Sequence, residues 1–167
     1  PSGELDFTDD RADIKQMPLA DALAALKPLL QDPSVLKVGQ NIKYDMIIFA
    51  QHGITVAPYD DTMLMSYVLE GGKHGHGMDE LAELYLGRKT ISYSDVAGSG
   101  QKQITFDLVP VDKATQYAAE DADVTARLYA ALKPRLLQDK LVTVYETLER
   151  PMPAVLAGME RAGIRVD

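Results

Sequence analysis

The chain has 167 residues, 46% hydrophobic and 25% charged, which suffices for one domain with a sizeable core. No apolar run approaches a membrane span, and the absence of cysteine excludes disulfides and thiolate metal sites, so a reducing, cytoplasmic setting is the natural reading. A net charge of −8 speaks against a surface that grips nucleic acid by its phosphates and suits carboxylates that bind divalent cations.

Residues 1–18 are polar and acidic and read as a loop or disordered leader. A helix is predicted over 19–30, with Pro28 ending or restarting it near its close. Residues 35–38 form a short apolar run of strand type, broken by Gly39. Asn41 reads as the N-cap of a helix over 42–52, and Gly53 as its stop. A second short strand is predicted over 54–56. Asp60 and Asp61 read as a turn and an N-cap for a helix through Leu69. Residues 71–77 (GGKHGHG) form a flexible loop, and a helix over 78–86 stops at Gly87. The polar stretch 89–107 reads as an irregular loop. A long helix is predicted over 112–139, followed by helices over 142–150 and 153–162, with Gly163 as the last stop. The overall class is α/β and predominantly helical.

The long helix carries an anomaly. Tyr117, Asp121, Val124, Thr125, Leu128 and Leu132 share one face, which is apolar except for Asp121. A carboxylate on a core-facing stripe is costly unless it is paired or bound to a metal, so Asp121 is either functional or part of a buried salt bridge. Tyr117 lies one turn before it on the same face. Asp45 sits in the first turn of its helix, amid Ile42, Met46, Ile48 and Phe49. Alone, Asp45 is explained by the helix dipole. His74, His76 and Asp79 have a metal-like spacing, but two histidines on a glycine loop without a third good ligand read as solvent-exposed. Glu120 and Asp123 flank Asp121 and point to solvent.

Taken together, VGQNIKYD (38–45) and YAAEDAD (117–123) resemble the second and third motifs of the proofreading 3′-5′ exonuclease domain of bacterial DNA polymerase I, a DEDD-type exonuclease with tyrosine in its third motif. The resemblance continues through DTMLMSY, MDELAELYLG, TISYSDVAG and QITFDLV, and covers roughly residues 20–167. The final LERPMPAVLAGMERAGIRVD is similar to the junction with a polymerase domain. The resemblance implies a ribonuclease H-like fold, with residues 19–140 as the exonuclease-like domain and 141–167 as helices at the junction. It implies two-metal hydrolysis of DNA 3′ ends with Mg or Mn. Asp45 and Asp121 would be metal ligands, Tyr117 would position the attacking water, and Gln40, Asn41, Tyr44 and Tyr93 would contact single-stranded DNA. In place of an arginine contact frequent in the family, the loop before Met78 offers Lys73 or His76.

The family also has an Asp-x-Glu first motif on the first of three upstream strands. This chain does not contain it in the right place; the nearest imitation is Glu4-x-Asp6, in the wrong order. The chain therefore reads as a fragment whose first three strands are missing, with two of four metal carboxylates absent. Losing one catalytic group costs roughly 10³-fold or more, so the chain alone is expected to be weakly active or inactive and to bind one metal ion weakly or none. An open strand edge would favour marginal stability, self-association or a rearranged helical fold. Two other functions remain: a non-catalytic module that braces a DNA polymerase and guides DNA, and a ribonuclease D-like enzyme acting on RNA.

Overall fold

The computed structural model describes residues 17–165, so the leader predicted over 1–18, with Glu4 and Asp6, lies outside the described residues except for its last two. The organising element is α6 (Val111–Gln138). Its Val124, Leu128, Leu132 and Leu136 recur every fourth residue and are fully buried. They pack with Met65 of α3 (Thr62–Glu70), with Leu81 of α4 (Met78–Leu81), and with Ala82 of the π-helical turn that continues α4 to Leu86. Each fully buried side chain of this size contributes about 1.5–3 kcal/mol, so this stripe dominates the core. Tyr145 closes it from a second π-helical turn, Tyr145–Glu149, which continues α7 (Val142–Val144).

Beside the core lies a small parallel sheet. β1 (Lys37–Gly39) pairs with β2 (Tyr59–Asp61) in the register Gly39 to Asp61, and α2 (Ile42–Gln51) makes the crossover. The strand predicted over 54–56 is displaced: Ile54 and Val56 are buried without pairing, and the ladder forms at Tyr59–Asp61. Strand identity follows backbone hydrogen bonding, which an apolar triplet does not fix. α8 (Met152–Ala162) packs on α2, and Lys43 forms an ion pair with Glu160 across this contact. α1 (Leu19–Gln31) accommodates Pro28 within its last turn and buries no residue fully.

Two further readings change. The loop predicted over 89–107 contains α5 (Tyr93–Ala97), which opens on a capping box between Ser92 and Asp95. Glu120 does not face solvent. Its carboxylate accepts from Arg88 at 2.6 Å and from the Ile91 amide at 2.5 Å, tying this segment to α6.

Candidate active site

α6 and the β1–α2 turn meet at an open pocket of about 340 Å³. Gly39, Gln40, Asp45, Met78, Asp121 and Thr125 line it. The two anomalous aspartates, 76 positions apart in sequence, thus share one cavity. Neither forms an ion pair among the described residues. Asp121 is half-buried. Burial raises its carboxyl above the ordinary range, the Tyr117 hydroxyl lowers it by hydrogen bonding, and the charges of Asp79 and Glu120 raise it further. Asp45 is open to solvent on one side and crowded by protein on the other. That partial desolvation raises its carboxyl as well, and Asp61 adds to the rise.

Tyr117 stands one turn before Asp121 and is hydrogen-bonded to it. Desolvation and the neighbouring Asp121 push its phenol up to about 12, so it is a hydroxyl donor at any physiological pH. It also belongs to an aromatic cluster. Tyr93 at the start of α5 stacks on Phe106 with ring centroids 6.2 Å apart, and both approach Tyr117, at 6.3 and 5.8 Å. Phe106 escaped the sequence reading. Its signal was modest: an aromatic in a polar stretch, a few residues before the helix that bears Tyr117.

The other predicted contacts divide. Tyr44 is 66% exposed and free to meet a ligand. Gln40 lines the pocket, but its amide is committed on both ends: it accepts from Thr62 Oγ1 at 2.5 Å and donates to the His76 carbonyl at 2.8 Å. Asn41 occupies the N-cap position of α2 in a left-handed conformation, and its side chain makes no capping bond. The cap comes instead from Asp61, whose carboxylate accepts from the amides of Asn41 and Ile42 at 3.1 and 2.9 Å. Asp61 also caps its own helix α3 as predicted, accepting from Met63 at 2.8 Å.

His74 and His76 are partly buried and not solvent-exposed. His74 bonds to Glu70 at 3.1 Å, and His76 to Ser66 at 2.9 Å. Among the described residues no three histidine or carboxylate side chains converge at a metal-sized site. Asp60, read as a turn residue, is instead a buried strand residue bonded to Lys133, Tyr145 and Arg150.

Comparison with known proteins gives this arrangement its lineage. A family model described as 3′-5′ exonuclease matches residues 2–137. The DNA polymerase I of Rhizobium leguminosarum is 59% identical over 152 residues, which cover 91% of this chain and 15% of that protein. That of Pseudomonas aeruginosa is 49% identical over 149 residues, covering 87% of this chain and 16% of the relative. The chain thus spans less than a fifth of the length of these relatives. Among solved structures, Pol1 from M. smegmatis, in a polymerase-domain complex with DNA primer-template and dNTP, matches with a TM-score of 0.70 at 25% identity, over 91% of this chain and 23% of that one. Brucella melitensis NrnC with bound Mg²⁺ matches in fold, with a TM-score of 0.63 at 24% identity, over 93% of this chain and 71% of that one. The mostly helical architecture with its small sheet is that of a ribonuclease H-like exonuclease, and the chain belongs to the 3′-5′ exonuclease family.

Proposed function

We propose that this chain is the proofreading module of a DNA polymerase I, acting in the cytoplasm on single-stranded DNA 3′ ends during replication and repair. One observation carries the reading. Asp45 and Asp121 line a single pocket, neither has a cation partner among the described residues, and Tyr117 stands one turn away. Hard carboxylate oxygens without a counter-charge fit Mg or Mn. Asp45 and Asp121 would hold such ions, which when bound stabilise the attacking and leaving oxygens of an in-line displacement.

The chain's own residues then have distinct tasks. Tyr117 orients the attacking water through its protonated hydroxyl. Tyr93 and the exposed Tyr44 offer ring faces to unstacked bases. Gln40, which lines the pocket, and Asn41 beside it would contact the strand end. Residues 141–167 are the segment at the polymerase junction, with α7 and α8 as its described α-helices. Two carboxylates and one phenol are an incomplete set, so the chain by itself is expected to hydrolyse DNA weakly or not at all. A non-catalytic brace and a ribonuclease D-like enzyme have less support: the matching relatives are DNA polymerases I, and Asp45, Tyr117 and Asp121 are all present.

A Mn²⁺ titration followed residue by residue by NMR tests the reading. Paramagnetic broadening centred on Asp45, Tyr117 and Asp121 is the expected result. Broadening confined to other acidic surfaces, with these three untouched, would overturn it.

A further inference from the structure

Asp61 has an unusual set of partners for a buried carboxylate. It is 2% exposed, yet it forms no ion pair among the described residues. Its compensation is entirely backbone: Oδ1 accepts from the amides of Asn41 and Met63, and Oδ2 from that of Ile42. These amides are the first donors of two different helices, α2 and α3. Both helix N-termini carry partial positive charge, and burial leaves that attraction unscreened.

The local backbone is shaped for this arrangement. Asn41 takes φ 57°, a left-handed conformation that asparagine tolerates better than most residues, and this turns two successive amides toward one oxygen pair. A Cβ at Gly39 would stand 2.9 Å from Ile42 Cβ, so only glycine allows the turn to close this tightly. The strand register sets Gly39 directly opposite Asp61. Thr62, the next residue, donates to the Gly39 carbonyl at 3.1 Å and to the Gln40 side chain. From behind, the Asp61 amide donates to the Tyr145 hydroxyl at 3.0 Å, and that hydroxyl donates to Asp60, also at 3.0 Å.

We propose that Asp61 is a positioning residue of the site: its one carboxylate pins the N-terminus of α2 and thereby sets where Asp45 stands relative to Asp121. Asp45 lies in the first turn of α2, the part of a helix most dependent on its cap. The proposal rests on the metal-site reading for its function, and its geometry can be tested without metal.

Two variants separate the two caps. In Asp61→Asn, Oδ1 can still accept from Asn41 and Met63, while the amide nitrogen faces the Ile42 N–H with no acceptor to offer. In Asp61→Ser, the hydroxyl reaches the Met63 amide of its own helix and is too short to reach α2. Leu136→Ala serves as a control that lowers stability away from the site. Without metal, hydrogen exchange at Ile42 and Asp45 should accelerate roughly tenfold in both Asp61 variants, with Met63 unchanged. With Mn²⁺, affinity read from broadening at Asp45 should weaken roughly tenfold or more, while Leu136→Ala keeps the original affinity.

Folded Asp61 variants with unaltered α2 exchange would overturn the proposal. Failure of both variants to fold would also overturn it, because Asp61 would then be a stability residue. If the unsubstituted chain shows no broadening at Asp45 and Asp121, the metal reading falls, and the metal-free exchange data still decide whether Asp61 positions α2.

Discussion

Asp60 on β2 bonds to helix α6 and Asp121 is carried by it, and the two carboxylates are compensated in opposite ways. Asp60, 1% exposed, receives Lys133 at 3.0 Å, Arg150 at 3.2 Å and the Tyr145 hydroxyl at 3.0 Å. Glu146 completes the group by pairing with the same lysine and arginine, so two acids face two bases. Asp121 lines one pocket with Asp45, senses Asp79 and Glu120, and among the described residues is hydrogen-bonded to a neutral phenol, that of Tyr117. The first arrangement brings its own cations from within the chain. The second leaves room for cations from solution. Asp60 and Asp121 thus differ both in burial and in whether the described residues supply a counter-charge.

The largest effect should come from breaking the compensated side. Asp60→Ala leaves Lys133 and Arg150 with Glu146 as their remaining shared anion and takes away the acceptor of the buried Tyr145 hydroxyl. Removing one partner of a buried ion pair costs roughly 3–5 kcal/mol, and because both cations are partly solvated and keep Glu146 the loss here is about 3 kcal/mol. Urea denaturation should show a midpoint lowered accordingly. A loss below about 1 kcal/mol would mean that water reaches the cluster and the contrast with Asp121 is overstated. Tyr145→Phe should cost less, about 1–3 kcal/mol, because it leaves the Asp61 amide without its acceptor while the cations on Asp60 remain.

The difference between the two regions also explains what could be read from sequence. The α6 stripe was legible because Val124, Leu128 and Leu132 repeat along one segment, and Asp121 stood out against it; Leu136 extends it in the structure. Asp61 was legible as an N-cap because its own helix begins at the next residue. Its second cap on α2 was not, since the amides it serves lie 19 and 20 positions away. Asp60 was illegible for the same reason: Lys133 is 73 positions distant and Tyr145 85. Glu120 waited on Arg88, 32 positions back. The pocket itself depended on the family resemblance, because nothing local to Asp45 distinguishes a ligand from a first-turn helix acid. The α5 capping box, by contrast, was a local signal within a stretch read as irregular.

A third pair sharpens the comparison through pH. Glu70 accepts from Arg135 at 2.6 Å and from His74, and that pairing lowers its carboxyl to about 2. Because the folded value lies below the ordinary 4.5, the stabilisation is fully present above that pH and is lost as pH falls toward about 2. Arg135 and Glu70 are both partly solvated, so the contribution is about 1 kcal/mol after screening. Stability measured by urea unfolding across this window should show an acid limb that Glu70→Gln flattens. An unchanged limb would assign acid sensitivity to other carboxylates.

The smallest stability effect should come from the pocket, and its sign is the informative part. Asp45 and Asp121 hold protons more tightly in the folded chain than in the unfolded one. The unfolded state therefore ionises first as pH rises, and the fold loses stability between the ordinary carboxylate range and the raised folded values. Above that range the loss persists. The double variant Asp45→Asn/Asp121→Asn should thus equal or exceed the original chain at neutral pH, by about 0.5 kcal/mol, and the advantage should vanish in acid. The same substitutions should abolish Mn²⁺ broadening at residues 45 and 121. A variant that is destabilised at neutral pH would mean that these carboxylates support the fold as Asp60 does, and the pocket would lose its claim to be kept open for metal.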